Sequence, residues 1–230
     1  MQHNISFNLN IPTPPIVHSH SRSHSMKYNT MNLVSWNKRH GDVVNNLDRI
    51  KAVIIQTQAT VLLVNEFNFT KNEDIRLIQV EGYKIELDAL YKCGKKARSA
   101  LYIKDNIRYK RKRKYEINID SSICIEMGFP RQKKIIYYGH YRQWKLLDDP
   151  TTISWPSQLQ RFTNTINKWE EIINLGKEVH IQGDMNLDIL LLDMKEIDKK
   201  PYQKNQAKML NLYKQKILDR NMHILNKKTY

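Results

Sequence analysis

Residues 179–186, VHIQGDMN, form an apolar run that closes on a glycine, a carboxylate and, two positions later, an amide. The run reads as a buried strand. In extended chain, side chains two apart project from the same side, so Asp184 and Asn186 share a face, and Gly183 admits another backbone or a ligand at close range. Polar groups just past a strand end are held by the sheet yet lie outside its hydrogen-bond ladder, so they are rigid and accessible at once.

The segments around this run place it in a sheet covered by helices. Upstream, WPSQLQRFTNTINKWEEIIN at 155–174 sets Leu159, Phe162, Ile166, Trp169 and Ile173 on one stripe, and Ser157 with Gln160 three residues on fits a capping box. Downstream, 205–221 reads as a second amphipathic helix and MHILN at 222–226 as a last strand, with His223 in a structural place. Towards the start, MNLVSWN at 31–37 alternates Leu33 and Ser35 with Val34 and Trp36, and 42–59 carries Val43, Leu47, Ile50 and Ile54 at helical spacing. VLLVNE at 61–66 follows as another buried strand. Strand, helix and strand within about 35 residues form a right-handed crossover unit, which brings both strand ends to one edge of the sheet. Asn37 and Glu66 are therefore expected to be neighbours. ARSALYIKD, SSICIEMGF and KKIIYYGHY, between 97 and 141, supply three more strands rich in branched and aromatic residues.

Four strand ends thus carry polar groups: Asn37, Glu66, Tyr141, and the pair Asp184 and Asn186. Carboxylates on two strands with an amide beside them form a hard-oxygen set suited to Mg²⁺, which keeps several waters and takes one or two carboxylates plus substrate phosphate. Taken singly, Glu66 and Asp184 also fit the plainer roles of helix cap or loop carboxylate. Their combination favours a site.

In this order and spacing SWN, VLLVNEFNF, SALYIKD, YYGHYRQW and VHIQGDMNLDIL resemble the endonuclease/exonuclease/phosphatase superfamily, also called DNase I-like. The similarity is greatest to the endonuclease domains of non-LTR retrotransposons and runs from about Met31 to the C-terminus. It implies an α/β fold of two packed mixed β-sheets flanked by helices, a four-layer sandwich. It also implies Glu66 as the ligand of Mg²⁺ or Mn²⁺, and Asn37 as support for the metal and phosphate site. Tyr141 would approach the scissile phosphate, and Asp184 and Asn186 would orient the attacking water and contact phosphoryl oxygens. Arg142 and Lys145, beside Tyr141, are the candidates for nucleic-acid contact, with Trp144 and Trp155 either stacking on a base or packing in the core.

The sequence departs from that family in three places. No Asp-His dipeptide occurs anywhere, although family members close the site with a late Ser-Asp-His-like motif; the last strands are expected to be missing and the domain, 27–230, incomplete at its C-terminus. ARSALYI lacks the double glycine common before that strand, and Arg39 stands where relatives of the repair type have an acid. Three functions remain open on this reading: a Mg²⁺-dependent DNA endonuclease impaired by the missing motif, a non-catalytic nucleic-acid-binding remnant, and a phosphatase of the same superfamily.

Composition narrows the partners. Lys and Arg number 38 against 23 Asp and Glu, a net charge of +15 that favours a polyanion such as DNA through counterion release. RYKRKRKY at 108–115 holds six cations in eight residues, and fits a DNA-backbone grip, a nuclear address or an exposed strand whose charges discourage edge pairing. The two cysteines lack metal-binding spacing and fit a reducing, intracellular compartment, and no stretch is apolar enough to span a bilayer. Residues 1–26 mix Pro, Ser, His and Asn and are expected to form a disordered leader, in which His18, His20 and His24 are either solvated or metal-binding. The sequence carries no sign of oligomeric state.

Overall fold

The computed structural model describes residues 5–8, 31–38, 43–117, 119–128, 133–143, 154–187, 201–217 and 223–225. Among the described residues ten strands make two sheets. In the four-stranded sheet, β2 (Leu33–Asn37) pairs in parallel with β3 (Val61–Phe69), and β5 (Ala97–Lys104) lies antiparallel between β3 and β4 (Tyr83–Leu87). The six-stranded sheet runs in the order β10 (His223–Leu225), β1 (Ile5–Asn8), β9 (Glu178–Asp184), β8 (Ile135–Tyr141), β7 (Ser121–Gly128) and β6 (Arg108–Arg111). Within it only β8 and β9 run parallel, so both sheets are mixed.

Three apolar clusters bind these sheets into layers. The helix α1 (Leu47–Thr57) lays Ile50 and Ile54 on Leu62, Val64 and Tyr102, one face of the four-stranded sheet. Leu63, Leu101 and Ile103 of the opposite face meet Ile123, Ile125 and Tyr137 of the six-stranded sheet. On the far side of that sheet α3 (Trp155–Ile173) and α4 (Pro201–Lys216) pack Phe162, Ile166, Trp169, Met209 and Leu210 against Tyr138, Val179 and Ile181. Helix, sheet, sheet, helices is a four-layer α/β sandwich, as expected. The crossover β2–α1–β3 ends both strands at one edge, and Asn37 pairs with Asn65, next to Glu66.

Several local expectations change. Residues 5–8, inside the segment expected to be a disordered leader, form β1 between β9 and β10; Ile5 and Phe7 alternate with Ser6 and Asn8, a short strand pattern that a Pro- and His-rich neighbourhood hides. The rest of that segment, with His18, His20 and His24, lies outside the described residues, as does Arg39. The cap of α3 is Ser154, whose hydroxyl accepts from the Ser157 amide, because Pro156 fits the first turn. Its buried stripe uses Ile172 and leaves Leu159 half exposed. The second C-terminal helix begins at Pro201, four residues before the periodicity indicates, and His223–Leu225, within the expected last strand, form β10. β4 and the short helix α2 (Ala89–Lys92) carry no clear pattern in the sequence. Among the described residues no helix is long and apolar enough to cross a membrane.

The basic run is largely architectural. Residues 108–111 form the edge strand β6, and Arg111 is buried in ion pairs with Glu116 at 2.8 Å and with Glu86 of the other sheet at 2.7 Å. Lys112 pairs with Glu126, and the Tyr109 hydroxyl donates to Glu86 at 2.9 Å. Arg111 therefore ties the two sheets together, while Arg108, Lys110, Arg113 and Lys114 stay exposed.

Candidate active site

The site forms where the parallel ends of both sheets meet. Asn37 ends β2, and its Nδ2 donates to Glu66 Oε1 at 3.2 Å and to Asp184 Oδ2 at 2.7 Å. One amide therefore bridges two carboxylates that are 118 positions apart in the chain (184 − 66), one from each sheet. Tyr141 ends β8 and is the register partner of Asp184 on β9, so it flanks the same pair.

Local backbone departures aim these groups. The β3–β5 register breaks between Asn65 and Phe69, and Glu66 and Asn68 take positive φ of 58° and 57° in that bulge. Bulges re-aim side chains next to functional sites, and left-handed backbone on a residue other than glycine costs about 1–3 kcal/mol, which the surrounding structure must over-determine. Asn186 also has positive φ, 49°. Its backbone N–H donates to Asp184 Oδ1 at 2.8 Å, and its side-chain amide donates to the Arg142 carbonyl at 2.5 Å, locking the turn after β9 to the turn after β8. Gly183 answers to a close approach of backbone: a Cβ there would stand 1.7 Å from the His140 carbonyl oxygen.

Burial sets the proton affinities. Asp184 is fully buried, and burial raises its carboxyl above the usual carboxylate range, with Glu66 adding to that; the Asn186 and Asn37 hydrogen bonds and Arg142 oppose it. Burial likewise pushes the Tyr141 phenol up, as do Glu66 and Asp184, while hydrogen bonding and charge from Arg98 pull it down. Arg98 was not singled out by the sequence reading. Its guanidinium carbon lies 5.6 Å from the Tyr141 ring centroid, and the one sign of it is a lone cation at the head of the apolar strand ARSALYIK.

The expected nucleic-acid contacts fare differently. Arg142 is buried, 1% exposed, and donates to Gln158 Oε1 at 2.7 Å and to the Met185 carbonyl at 3.3 Å. It braces α3 and the Asp184 turn in place of a surface role, because the strand end that exposes Tyr141 to the site turns the next residue under α3. Trp155 is half buried against the α3 cluster, the packing alternative; Trp144 and Lys145 lie outside the described residues.

Two of the solved structures that share this fold superpose with a TM-score of 0.58. They are an AP endonuclease, LMAP, from Leishmania major, at 13% identity over 81% of this chain and 66% of that one, and the Xenopus laevis APE2 catalytic domain, at 14% over 80% and 67%. The fold is DNase I-like. The endonuclease domain of TRAS1, a telomere-specific non-LTR retrotransposon, also shares this DNase I-like fold, with a TM-score of 0.50 at 12% identity over 78% of this chain and 70% of that one. This chain thus spans about two thirds of the length of such structures. No protein-family model and no curated protein matches it.

The chemistry of the side chains at the site fits a hard divalent ion. Their donors are carboxylate and amide oxygens, and Glu66 hydrogen-bonds through Oε1 alone, which leaves Oε2 for a metal. No cluster of three or more His, Cys, Asp or Glu side chains that could hold a metal ion occurs among the described residues.

Proposed function

We propose that this chain is a Mg²⁺- or Mn²⁺-dependent phosphodiesterase that cleaves DNA, of non-LTR retrotransposon origin. The observation that carries the reading is the Asn37 amide bridging Glu66 and Asp184, two buried-edge carboxylates brought together from separate sheets. The fold shared with nucleases and the net charge of +15 support DNA as the substrate.

In this reading Glu66 would hold the ion, and when bound the ion neutralises charge that builds on the phosphate and the leaving oxygen. The protein residues do the rest. Asn37 fixes both carboxylates in one orientation. Asp184, whose raised proton affinity makes it the better base, takes the proton of the attacking water. Tyr141, kept a neutral phenol by burial, donates its O–H to a phosphoryl oxygen. Asn186 and Arg142 hold the two turns that carry these groups.

The test is nicking of supercoiled plasmid in Mg²⁺ by the purified protein and by Asp184→Ala. Loss of a general base is expected to slow nicking about a hundredfold or more. Equal nicking by both proteins would remove the proposal. DNA retention that weakens with salt, without metal-dependent turnover, would identify the non-catalytic remnant instead; turnover of phosphoinositide and not of plasmid would identify the phosphatase.

A further inference from the structure

Arg98 sits at a break in strand alternation. Ala97, Ala100 and Tyr102 belong to the cluster under α1, whereas Leu101 and Ile103 face the other sheet, and the Ser99 hydroxyl oxygen meets that of Ser121 of that sheet at 2.7 Å. Two residues, 98 and 99, therefore separate Ala97 from Ala100 where alternation allows one. The irregularity lies opposite the Glu66–Asn68 bulge of β3, since Asn65 pairs with Ser99 and Phe69 with Ala97.

A buried carboxylate fixes that break. Asp88 is fully buried, and its Oδ2 accepts from the backbone N–H of Arg98 at 2.7 Å, of Ser99 at 2.8 Å, and from the Ser121 hydroxyl at 2.5 Å. Ser121 is itself the cross-strand partner of Tyr141. The same carboxylate thus anchors the backbone that bears Arg98 and the strand beside Tyr141. A buried network of this kind, in a low dielectric, favours one arrangement of the groups it joins.

We propose that Arg98 is the positioning residue for Tyr141, clamping the phenol ring beside Glu66 and Asp184 with its hydroxyl turned towards the substrate phosphate. A phenol oxygen both accepts and donates. The charge of the nearby guanidinium, its carbon 5.6 Å from the ring centroid, draws the oxygen towards itself and leaves the O–H for a phosphoryl oxygen instead of a neighbouring carboxylate. That placement is also within cation–π range of the ring, and a planar guanidinium and a lysine ammonium do not meet a ring in the same way. This inference rests on the phosphodiesterase reading of the site, but it concerns a contact that exists without substrate.

Two measurements test it separately from that reading. In metal-free protein, the ring resonance of ¹³C-labelled Tyr141, assigned through Tyr141→Phe, is expected to move or broaden in Arg98→Met and to stay put in the surface control Arg76→Ala. An unmoved signal in Arg98→Met overturns the proposal whether or not the protein turns over DNA. With an oligonucleotide substrate in Mg²⁺, Arg98→Met is expected to lower kcat about tenfold or more with KM within about twofold. Arg98→Lys should recover only part of that loss. The double variant Arg98→Met with Tyr141→Phe should be no slower than Tyr141→Phe alone, because residues that act through one another do not add. Additive losses, or a raised KM at unchanged kcat, would show that Arg98 meets the substrate directly and would overturn the positioning role. A wild type that leaves DNA uncut would sink the phosphodiesterase reading while the resonance still reports on the clamp.

Discussion

Gly183→Ala is expected to destabilise the protein by about 4 kcal/mol or more, at the upper end of single substitutions. Two costs combine at this position. Its φ is +153°, a region that residues with a side chain rarely enter, and the added Cβ would overlap the His140 carbonyl at 1.7 Å and its carbon at 2.6 Å. Both of those atoms are backbone of the parallel neighbour β8, so no side-chain rotation relieves the clash; β8 and β9 would have to part where they present Tyr141 and Asp184. Gly176 makes the comparison sharp. It too has positive φ, +64°, but nothing stands within 4 Å of its missing Cβ, so Gly176→Ala is expected to cost only about 1 kcal/mol. Chemical denaturation of both variants checks the contrast, and equal midpoints would refute it.

The second large effect is acid sensitivity through His140. The ring is fully buried between Tyr138, stacked at 6.2 Å, and Trp169, edge-on at 5.7 Å, and neither ring nitrogen has a hydrogen-bond partner among the described residues. Burial holds its pKa down at about 3, well below the ordinary 6.5, and the cations Arg142 and Arg161 push the same way. Above pH 6.5 the imidazole is neutral in both folded and unfolded chains and stability does not depend on it. As pH falls from 6.5 towards 3 the unfolded chain takes up a proton that the native core refuses, so stability is lost across that window. At roughly 1.4 kcal/mol per pH unit the full loss is about 5 kcal/mol, and about 2 kcal/mol of it falls between pH 6.5 and 5. The buried carboxyls Asp88 and Asp120 work in the opposite sense, since burial raises them and acid favours their native, protonated form. The difference in unfolding free energy between wild type and His140→Phe isolates the ring: wild type should lose about 2 kcal/mol relative to the variant as pH is lowered from 7.5 to 5. A gap that stays constant would contradict the assignment.

The parts of the fold that the sequence revealed are those governed by periodicity. β2, α1, β3 and α3 announce themselves through alternation or a helical stripe, and the crossover rule then places Asn37 beside Glu66 before any coordinates are seen. The positions of Tyr141 and Asp184 were legible because each stands at the end of a run of β-formers. What escaped is set by tertiary contact. Arg142 looks like a surface cation in one dimension, yet Gln158 and the Met185 carbonyl, 16 and 43 positions away, draw it inside. Asp88 reads as an ordinary turn residue and acts as the buried acceptor for Arg98, Ser99 and Ser121. The run at 108–115 looks like a uniform basic patch, but alternation on β6 turns Arg111 towards Glu86 while Arg108 and Lys110 face solvent.

The proposed function requires a cation beside the two carboxylates that Asn37 joins, and the binding of Mn²⁺, followed by water-proton relaxation or by its paramagnetic resonance spectrum, addresses that point without any substrate. Wild-type protein should take up one ion, and Glu66→Gln should bind it at least about tenfold more weakly. Glu66→Gln protein that is folded and binds Mn²⁺ as tightly as wild type would contradict the account.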